Sequence, residues 1–100
     1  MDKDMLGRLL SEKGTVLVEF YATWCPHCRK MMPVVEDVKA SLEGKVPVYQ
    51  FDIDKEPDLS DELKVEVVPT FMVFKDGEMV WKTSGEIDGN MLYSKAEENM

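Results

Sequence analysis

The chain contains few of the residues that build metal centres or disulfide frameworks. Its 100 residues include two cysteines and one histidine. A zinc site usually needs four ligands drawn largely from these two residue types, so the composition argues against one and no metal is expected. A c-type haem motif requires a histidine directly after its second cysteine, and Arg29 occupies that position. Haem attachment is therefore excluded.

Long apolar runs and basic residues are also scarce. The longest purely apolar stretches span only a few residues, far fewer than the ~20 that cross a bilayer. Residues 2–4 are charged and no apolar segment follows the first methionine, so we expect no targeting segment and a cytoplasmic location. Twelve basic against twenty acidic side chains give a net charge of −8, which repels phosphate backbones and anionic lipids. Neither nucleic acid nor a membrane is an expected partner.

The periodicity of apolar residues predicts one α/β domain over residues 1–100, expected to be a monomer. The predicted elements are a helix over 2–13, a strand over 15–22, a main helix from Cys25 to Gly44, a strand over 46–53, a short helix over 57–63, a hairpin of 70–74 and 78–83, and a polar helix over 88–99. Near-continuous apolarity in the first strand is typical of a central strand buried on both faces. Pro33 lies inside the main helix and is expected to kink it. The order predicts a mixed sheet with helices on both sides.

The two cysteines lie three positions apart, where the first strand gives way to the main helix. Cys25 and Cys28 can share one face of the first helical turn, so they can close a disulfide and reopen it without rearranging the fold. A bridge across so short a loop adds little stability. Unpaired N–H groups and the helix dipole at this end favour a thiolate at Cys25. The spacing therefore predicts reversible redox chemistry.

The segments around this motif resemble the thioredoxin family between Thr15 and Gly85. They are VLVEFYATWCPHC, the internal Pro33, FDIDKEP, VVPTFMVFKDG, and the glycine after the last strand. A Cys-x-x-Cys beside a βαβ pattern is typical of that family's redox motif. The resemblance implies a thioredoxin-like fold in which Cys25 is an exposed nucleophile, Cys28 resolves the mixed disulfide, and Pro69 lies in cis against the pair.

The resemblance also implies roles for residues outside the cysteine pair. Glu19, on the predicted central strand, is implied to be the proton acceptor for Cys28, with its pKa raised by burial. The implied substrate-binding residues are Trp24, Val68, Thr70 and Gly85.

The chain departs from the usual family pattern in three respects. It has no room for a strand before the first helix, which implies a four-stranded sheet. Pro26 and His27 replace the common Gly-Pro and resemble the dipeptide of periplasmic disulfide-forming oxidases. Glu19 stands where an aspartate is usual, and Gln50 aligns with the accompanying lysine.

The histidine of the motif bears on the direction of exchange. His27 can donate a hydrogen bond to the Cys25 sulfur or, when protonated, place positive charge beside it. Either interaction stabilises the reduced form, so we expect a potential above that of an ordinary thioredoxin. The alternative is an exposed turn residue with little influence.

Three functions remain open at this point. The first is a protein disulfide reductase that acts on disulfide-containing proteins. It would hold no cofactor beyond the Cys25–Cys28 disulfide and would be re-reduced by a thioredoxin reductase-type electron donor. The second is a more oxidising disulfide oxidase or isomerase, suggested by Pro26 and His27. The third is a redox-inactive binding module on the same fold.

Overall fold

A mixed sheet organises the part of the chain that the structure, a computed structural model, describes: residues 7–9 and 11–100. Its strands are β1 (Thr15–Tyr21), β2 (Val48–Asp52), β3 (Thr70–Lys75) and β4 (Glu78–Ser84). The helices are α1 (helical residues 7–9 and 11), α2 (Pro26–Leu42), α3 (Pro57–Glu62) and α4 (Gly89–Glu97). The four strands lie in the order β2-β1-β3-β4, which confirms the predicted four-stranded mixed sheet.

Strand β1 lies inside the sheet, as its apolar sequence predicts. It pairs in parallel with β2 and antiparallel with β3. All of its residues except Tyr21 are buried, including Glu19 at 3% exposure. Because alternate side chains point to opposite faces, β1 contributes to the core on both sides of the sheet.

Helices cover the sheet on both faces, as predicted. On one face, α2 and α4 bury an apolar cluster against Leu17 of β1 and residues of β3; its helical members are Met31, Val35, Val38, Leu42, Leu92 and Ala96. On the other face, Leu9 of α1 and Leu59 of α3 pack against Val16, Val18 and Phe20 of β1. Of the predicted first helix, Met5, Leu6 and Leu10 lie outside the described residues.

The end of the main helix and the start of the second strand each differ from the sequence-based bounds by two residues. The main helix ends at Leu42 instead of Gly44, because the N–H groups of Lys45 and Val46 both bond to the Leu42 carbonyl and turn the chain. Strand β2 consequently begins at Val48 instead of Val46. At its other end, α2 starts with Pro26 and continues through Pro33. Cys25 is thus the N-cap residue of the helix.

The β3–β4 hairpin turns through Asp76 and Gly77, which have φ angles of 52° and 83°. Positive φ at both central positions defines the two-residue turn that matches the twist of the strands, and Asp-Gly suits it. The turn brings β4 back towards the site end of the sheet. None of the helices in the described part of the chain is long and apolar enough to traverse a membrane.

Candidate active site

Cys25 and Cys28 meet at the N-terminus of α2. Cys25 has an extended backbone (φ −89°, ψ 116°), and its Sγ accepts a hydrogen bond from the Cys28 N–H at 3.3 Å. Both residues are free thiols, and the Cys28 side chain hydrogen-bonds with that of Cys25. A sulfur in the N-cap position satisfies an otherwise unpaired helix N–H. The helix terminus is therefore arranged to hold negative charge on Cys25 Sγ.

Cys25 is less exposed than the resemblance implies. The residue is 4% exposed, and its thiol donates to the Val68 carbonyl over 3.5 Å. A surface cavity of about 360 Å³ reaches it, with Trp24, His27 and Val68 among the lining residues. The predicted exposed nucleophile is therefore a recessed one, because the chain before the helix and the loop before Pro69 enclose it.

Cys28 is the more deeply protected thiol. Burial raises the pKa of Cys28 to about 12, and hydrogen bonding with the Cys25 side chain adds to the effect. The charges of Cys25 and Glu19 act in the same direction, while a backbone hydrogen bond with Ala22 opposes it. At neutral pH Cys28 therefore carries its proton, which leaves Cys25 as the first nucleophile.

Glu19 lies beside Cys28 on the inner side of the site. Burial raises the pKa of Glu19, and a hydrogen bond from Gln50 Nε2 to Glu19 Oε1 (2.9 Å) partly offsets this. Glu19, Cys28 and Gln50 all line a cavity of about 510 Å³. The burial and raised pKa predicted for Glu19 are thus present, and the cavity offers water a route to both titratable groups.

The loop before β3 closes the site opposite the helix. The Val68–Pro69 bond is cis, and the Pro69 carbonyl accepts a 2.8 Å hydrogen bond from the Gly85 N–H. The Thr70 hydroxyl donates to the Val67 carbonyl over 2.6 Å and lies 2.9 Å from the Ser84 hydroxyl. These contacts fix the loop to the chain that follows β4.

The four predicted substrate-binding residues separate into two pairs. Trp24 and Val68 line the cavity beside Cys25, and Trp24 is 60% exposed. Thr70 is 1% exposed, so the prediction that it lines a groove is wrong: its side chain braces the loop from inside. Gly85 is half-buried and is not among the residues that line the Cys25 cavity; its N–H braces the same loop.

Sequence reasoning missed two acidic partners of the site. The indole N–H of Trp24 donates to Asp54 Oδ2 over 2.8 Å. His27 Nδ1 lies 2.6 Å from Glu86 Oε2, whereas Cys25 Sγ was its expected partner. Both carboxylates are remote in sequence from the residues they contact. The spacing of exposed acidic residues along the chain does not indicate which distant side chain each one contacts.

The described residues include no group of three or more His, Cys, Asp or Glu side chains that could hold a metal ion. The site brings together two thiols, a buried carboxyl group and an exposed imidazole–carboxylate pair. Comparison with known proteins places this arrangement in a family. The family model described as Thioredoxin matches residues 2–98.

The chain belongs to the thioredoxin family. It is 35% identical over 92 residues to Thioredoxin Y1, chloroplastic, of Arabidopsis thaliana, covering 92% of this chain and 54% of that protein. Thioredoxin Y2, chloroplastic, of the same plant is 36% identical, with 85% and 51% covered. This thioredoxin-family chain thus spans about half the length of those two curated relatives. A thioredoxin of Staphylococcus aureus is 42% identical over 74 residues, covering 74% of this chain and 71% of that protein.

The fold of this family member is also that of a solved structure. The chain superposes with a TM-score of 0.84 and 26% identity on a structure from work on thiol resolution in a yeast mitochondrial 1-Cys peroxiredoxin via glutathione/thioredoxin systems. The match covers 96% of this chain and 88% of that one. The predicted thioredoxin-like fold is confirmed.

Proposed function

We propose that this chain is a thiol:disulfide oxidoreductase that reduces disulfide bonds in other proteins. The observation that supports it most directly is the Cys25 sulfur at the N-cap of α2, 3.3 Å from the Cys28 N–H, beside a Cys28 thiol whose pKa is raised to about 12. One sulfur is thus placed to carry negative charge while its neighbour keeps its proton. A nucleophile and a resolving thiol need that difference.

In the first step, the Cys25 thiolate attacks one sulfur of a substrate disulfide. A Cys25–substrate disulfide forms, the substrate S–S bond breaks, and the other substrate sulfur leaves as a thiolate that takes a proton from water. Trp24 and Val68 line the cavity through which the substrate sulfur must approach. Main-chain groups beside Pro69 offer an extended substrate peptide a strand-like partner.

In the second step, Cys28 resolves the intermediate. Its thiol transfers a proton to the Glu19 carboxylate, through water in the shared cavity, and the resulting thiolate attacks Cys25 Sγ. The Cys25–Cys28 disulfide forms, and the second substrate sulfur departs reduced. Two electrons have then passed to the substrate. A thioredoxin reductase-type donor, drawing on NADPH, returns them to the chain.

A trapping experiment tests both roles at once. Wild-type protein should catalyse insulin reduction with dithiothreitol, while Cys25→Ser and Cys28→Ser should each abolish turnover. Cys28→Ser should accumulate a mixed disulfide with the substrate, because the attack remains and the resolution is lost. Cys25→Ser should accumulate none. A mixed disulfide on Cys28 in the Cys25→Ser protein, or turnover by either variant, would contradict the assignment.

The second candidate is a disulfide oxidase, and the Pro26–His27 dipeptide favours it. A protonated imidazole near Cys25 stabilises the dithiol form and so raises the potential. Equilibration with glutathione buffers separates the two functions. A potential of about −270 mV would support the reductase, and one of about −120 mV the oxidase.

A further inference from the structure

Three chain segments meet around Cys25, and hydrogen bonds join them in a ring. The first turn of α2 contacts the loop before β3 through Cys25 Sγ and the Val68 carbonyl, at 3.5 Å. That loop contacts the chain after β4 through the Pro69 carbonyl and the Gly85 N–H, at 2.8 Å. The ring closes between His27 Nδ1 and Glu86 Oε2, at 2.6 Å. The Gly85–Pro69 hydrogen bond therefore positions the next residue, Glu86, beside the site.

The His27–Glu86 contact lies at the surface of the site. The two side chains are 64% and 41% exposed. Glu86 responds to its partner: the hydrogen bond with His27 holds the pKa of Glu86 below its ordinary value, and the charge of Lys30 adds to this. The Glu86 carboxylate is therefore ionised at neutral pH and is held against the imidazole by this hydrogen bond.

The His27 imidazole is hydrogen-bonded to Glu86 and not to Cys25 Sγ. Among the described residues, the hydrogen bonds of Cys25 Sγ run to the N–H group and side chain of Cys28 and to the Val68 carbonyl, whereas His27 is hydrogen-bonded to Glu86. Cys25 and His27 line the same cavity, so the two residues are neighbours although no hydrogen bond joins their side chains. A carboxylate also offsets the positive charge that the imidazolium would otherwise present to a thiolate.

We propose that Glu86 is a positioning residue that holds His27 away from Cys25 and so keeps the redox potential lower than the Pro26–His27 dipeptide alone would set. The inference rests on the proposed exchange function. The balanced step is reduction of the Cys25–Cys28 disulfide by glutathione. Two glutathione thiols become glutathione disulfide, the S–S bond becomes a Cys25 thiolate and a Cys28 thiol, and of the two thiol protons one goes to Cys28 and the other to solvent. Glu86 acts only on the stability of that thiolate, through His27.

Glutathione equilibration of a small set of variants tests the proposal. Glu86→Gln should move the equilibrium towards the dithiol by roughly tenfold, equivalent to about 30 mV for a two-electron couple. The same substitution in a His27→Gln background should have much less effect, because the residue through which it acts is gone. Glu86→Asp, which keeps the charge, should lie closer to wild type than Glu86→Gln does.

The matched control is Glu78→Gln, at the opposite end of β4 from Ser84, which makes the same change in net charge. The equilibrium constant of Glu78→Gln with glutathione should stay within twofold of the wild-type value. Nitrogen chemical shifts of the His27 ring provide an activity-free readout, and they should change in Glu86→Gln but not in Glu78→Gln. Equal potentials for wild type and Glu86→Gln, or an equal effect of Glu86→Gln on the potential with and without His27, would overturn the inference.

Failure of the proposed function gives a different result. In that case the wild-type protein itself forms no Cys25–Cys28 disulfide in any glutathione buffer, which overturns the exchange function and with it the proposal for Glu86. A wild-type protein that equilibrates normally, with a Glu86→Gln variant that matches it, overturns only the role of Glu86.

Discussion

The Gln50 side chain donates a 2.9 Å hydrogen bond to Glu19 Oε1 across the parallel pair β1–β2. Glu19 is buried and Gln50 is exposed, so the amide stands between the carboxyl group and solvent. An uncharged amide stabilises the carboxylate less than a cation would, and burial prevails in raising the pKa of Glu19. The Glu19 carboxyl group therefore keeps its proton to a higher pH than an exposed glutamate does.

Glu19→Gln should stabilise the folded protein at neutral pH. The raised pKa of Glu19 means that the folded state binds more protons than the unfolded state between the ordinary value of 4.5 and the folded value. Stability contributed by this group is thus fully present below pH 4.5 and is lost as the pH rises through the folded pKa. The free energy of unfolding at pH 7 should therefore be higher in Glu19→Gln than in wild type, because an uncharged amide is less costly to bury than a carboxylate.

Urea unfolding of Glu19→Gln between pH 4 and pH 8 measures this, and the variant should lose the wild-type decline of stability across that range. Glu36→Gln is the control, because Glu36 lines the same cavity but is exposed. A wild-type protein whose stability rises with pH relative to Glu19→Gln would contradict the account. Resolution by Cys28 should also slow in Glu19→Gln.

Alkylation at neutral pH should distinguish the two thiols. With a pKa raised to about 12 from 9.0, Cys28 has a thiolate fraction roughly a thousandfold below that of an ordinary thiol. A short iodoacetamide pulse followed by peptide mass spectrometry should therefore label Cys25 first. In urea both residues should react alike. Preferential labelling of Cys28 in the folded protein would show that the order of attack is reversed.

Gly85→Ala should destabilise the protein through its backbone alone. Gly85 has a φ of +92°, and a Cβ built there has no heavy atom within 4 Å. The cost is therefore conformational, about 1–2 kcal/mol. Gly7→Ala is the matched control, because Gly7 is helical and equally uncrowded, so alanine should add about 0.5–1 kcal/mol. Equal effects of the two substitutions in urea unfolding would contradict this.

The two tryptophans should respond oppositely to substitution. Trp24 is 60% exposed beside Cys25, so Trp24→Ala should lower kcat/KM for insulin reduction several-fold while changing the unfolding free energy by less than about 0.5 kcal/mol. Trp81 packs against the α2–α4 core, so Trp81→Ala should cost about 2 kcal/mol and leave the chemistry unchanged. A stability loss confined to Trp24→Ala would refute the assignment of roles.

Much of the fold could be predicted because its determinants are local. The apolar run of β1 indicated a central strand, and the two short runs 70–74 and 78–83 indicated the hairpin. The end of α2 was placed two residues too late because the turn depends on which amides reach the Leu42 carbonyl, and glycine alone does not reveal that. Strand β2 was overextended for the same reason.

From residue spacing alone, the site was predictable only in the parts that lie close together in sequence. Cys25 and Cys28 are three residues apart, so helical geometry alone brings them together. His27 and Glu86 are 59 positions apart, and only the return of β4 to the helix terminus makes them neighbours. Thr70 was misplaced because the family resemblance implied that it lines a substrate groove, whereas its side chain is buried and its hydroxyl donates to the Val67 carbonyl.

The most direct test of the central claim is the mass of the protein after equilibration in glutathione buffers and alkylation of the remaining thiols. We expect the two cysteines to convert together, in one two-electron transition, into an intramolecular disulfide that lacks two hydrogen atoms and takes up no alkylating agent. Thiols that remain free in every buffer, or that become glutathionylated independently of one another, would contradict the account.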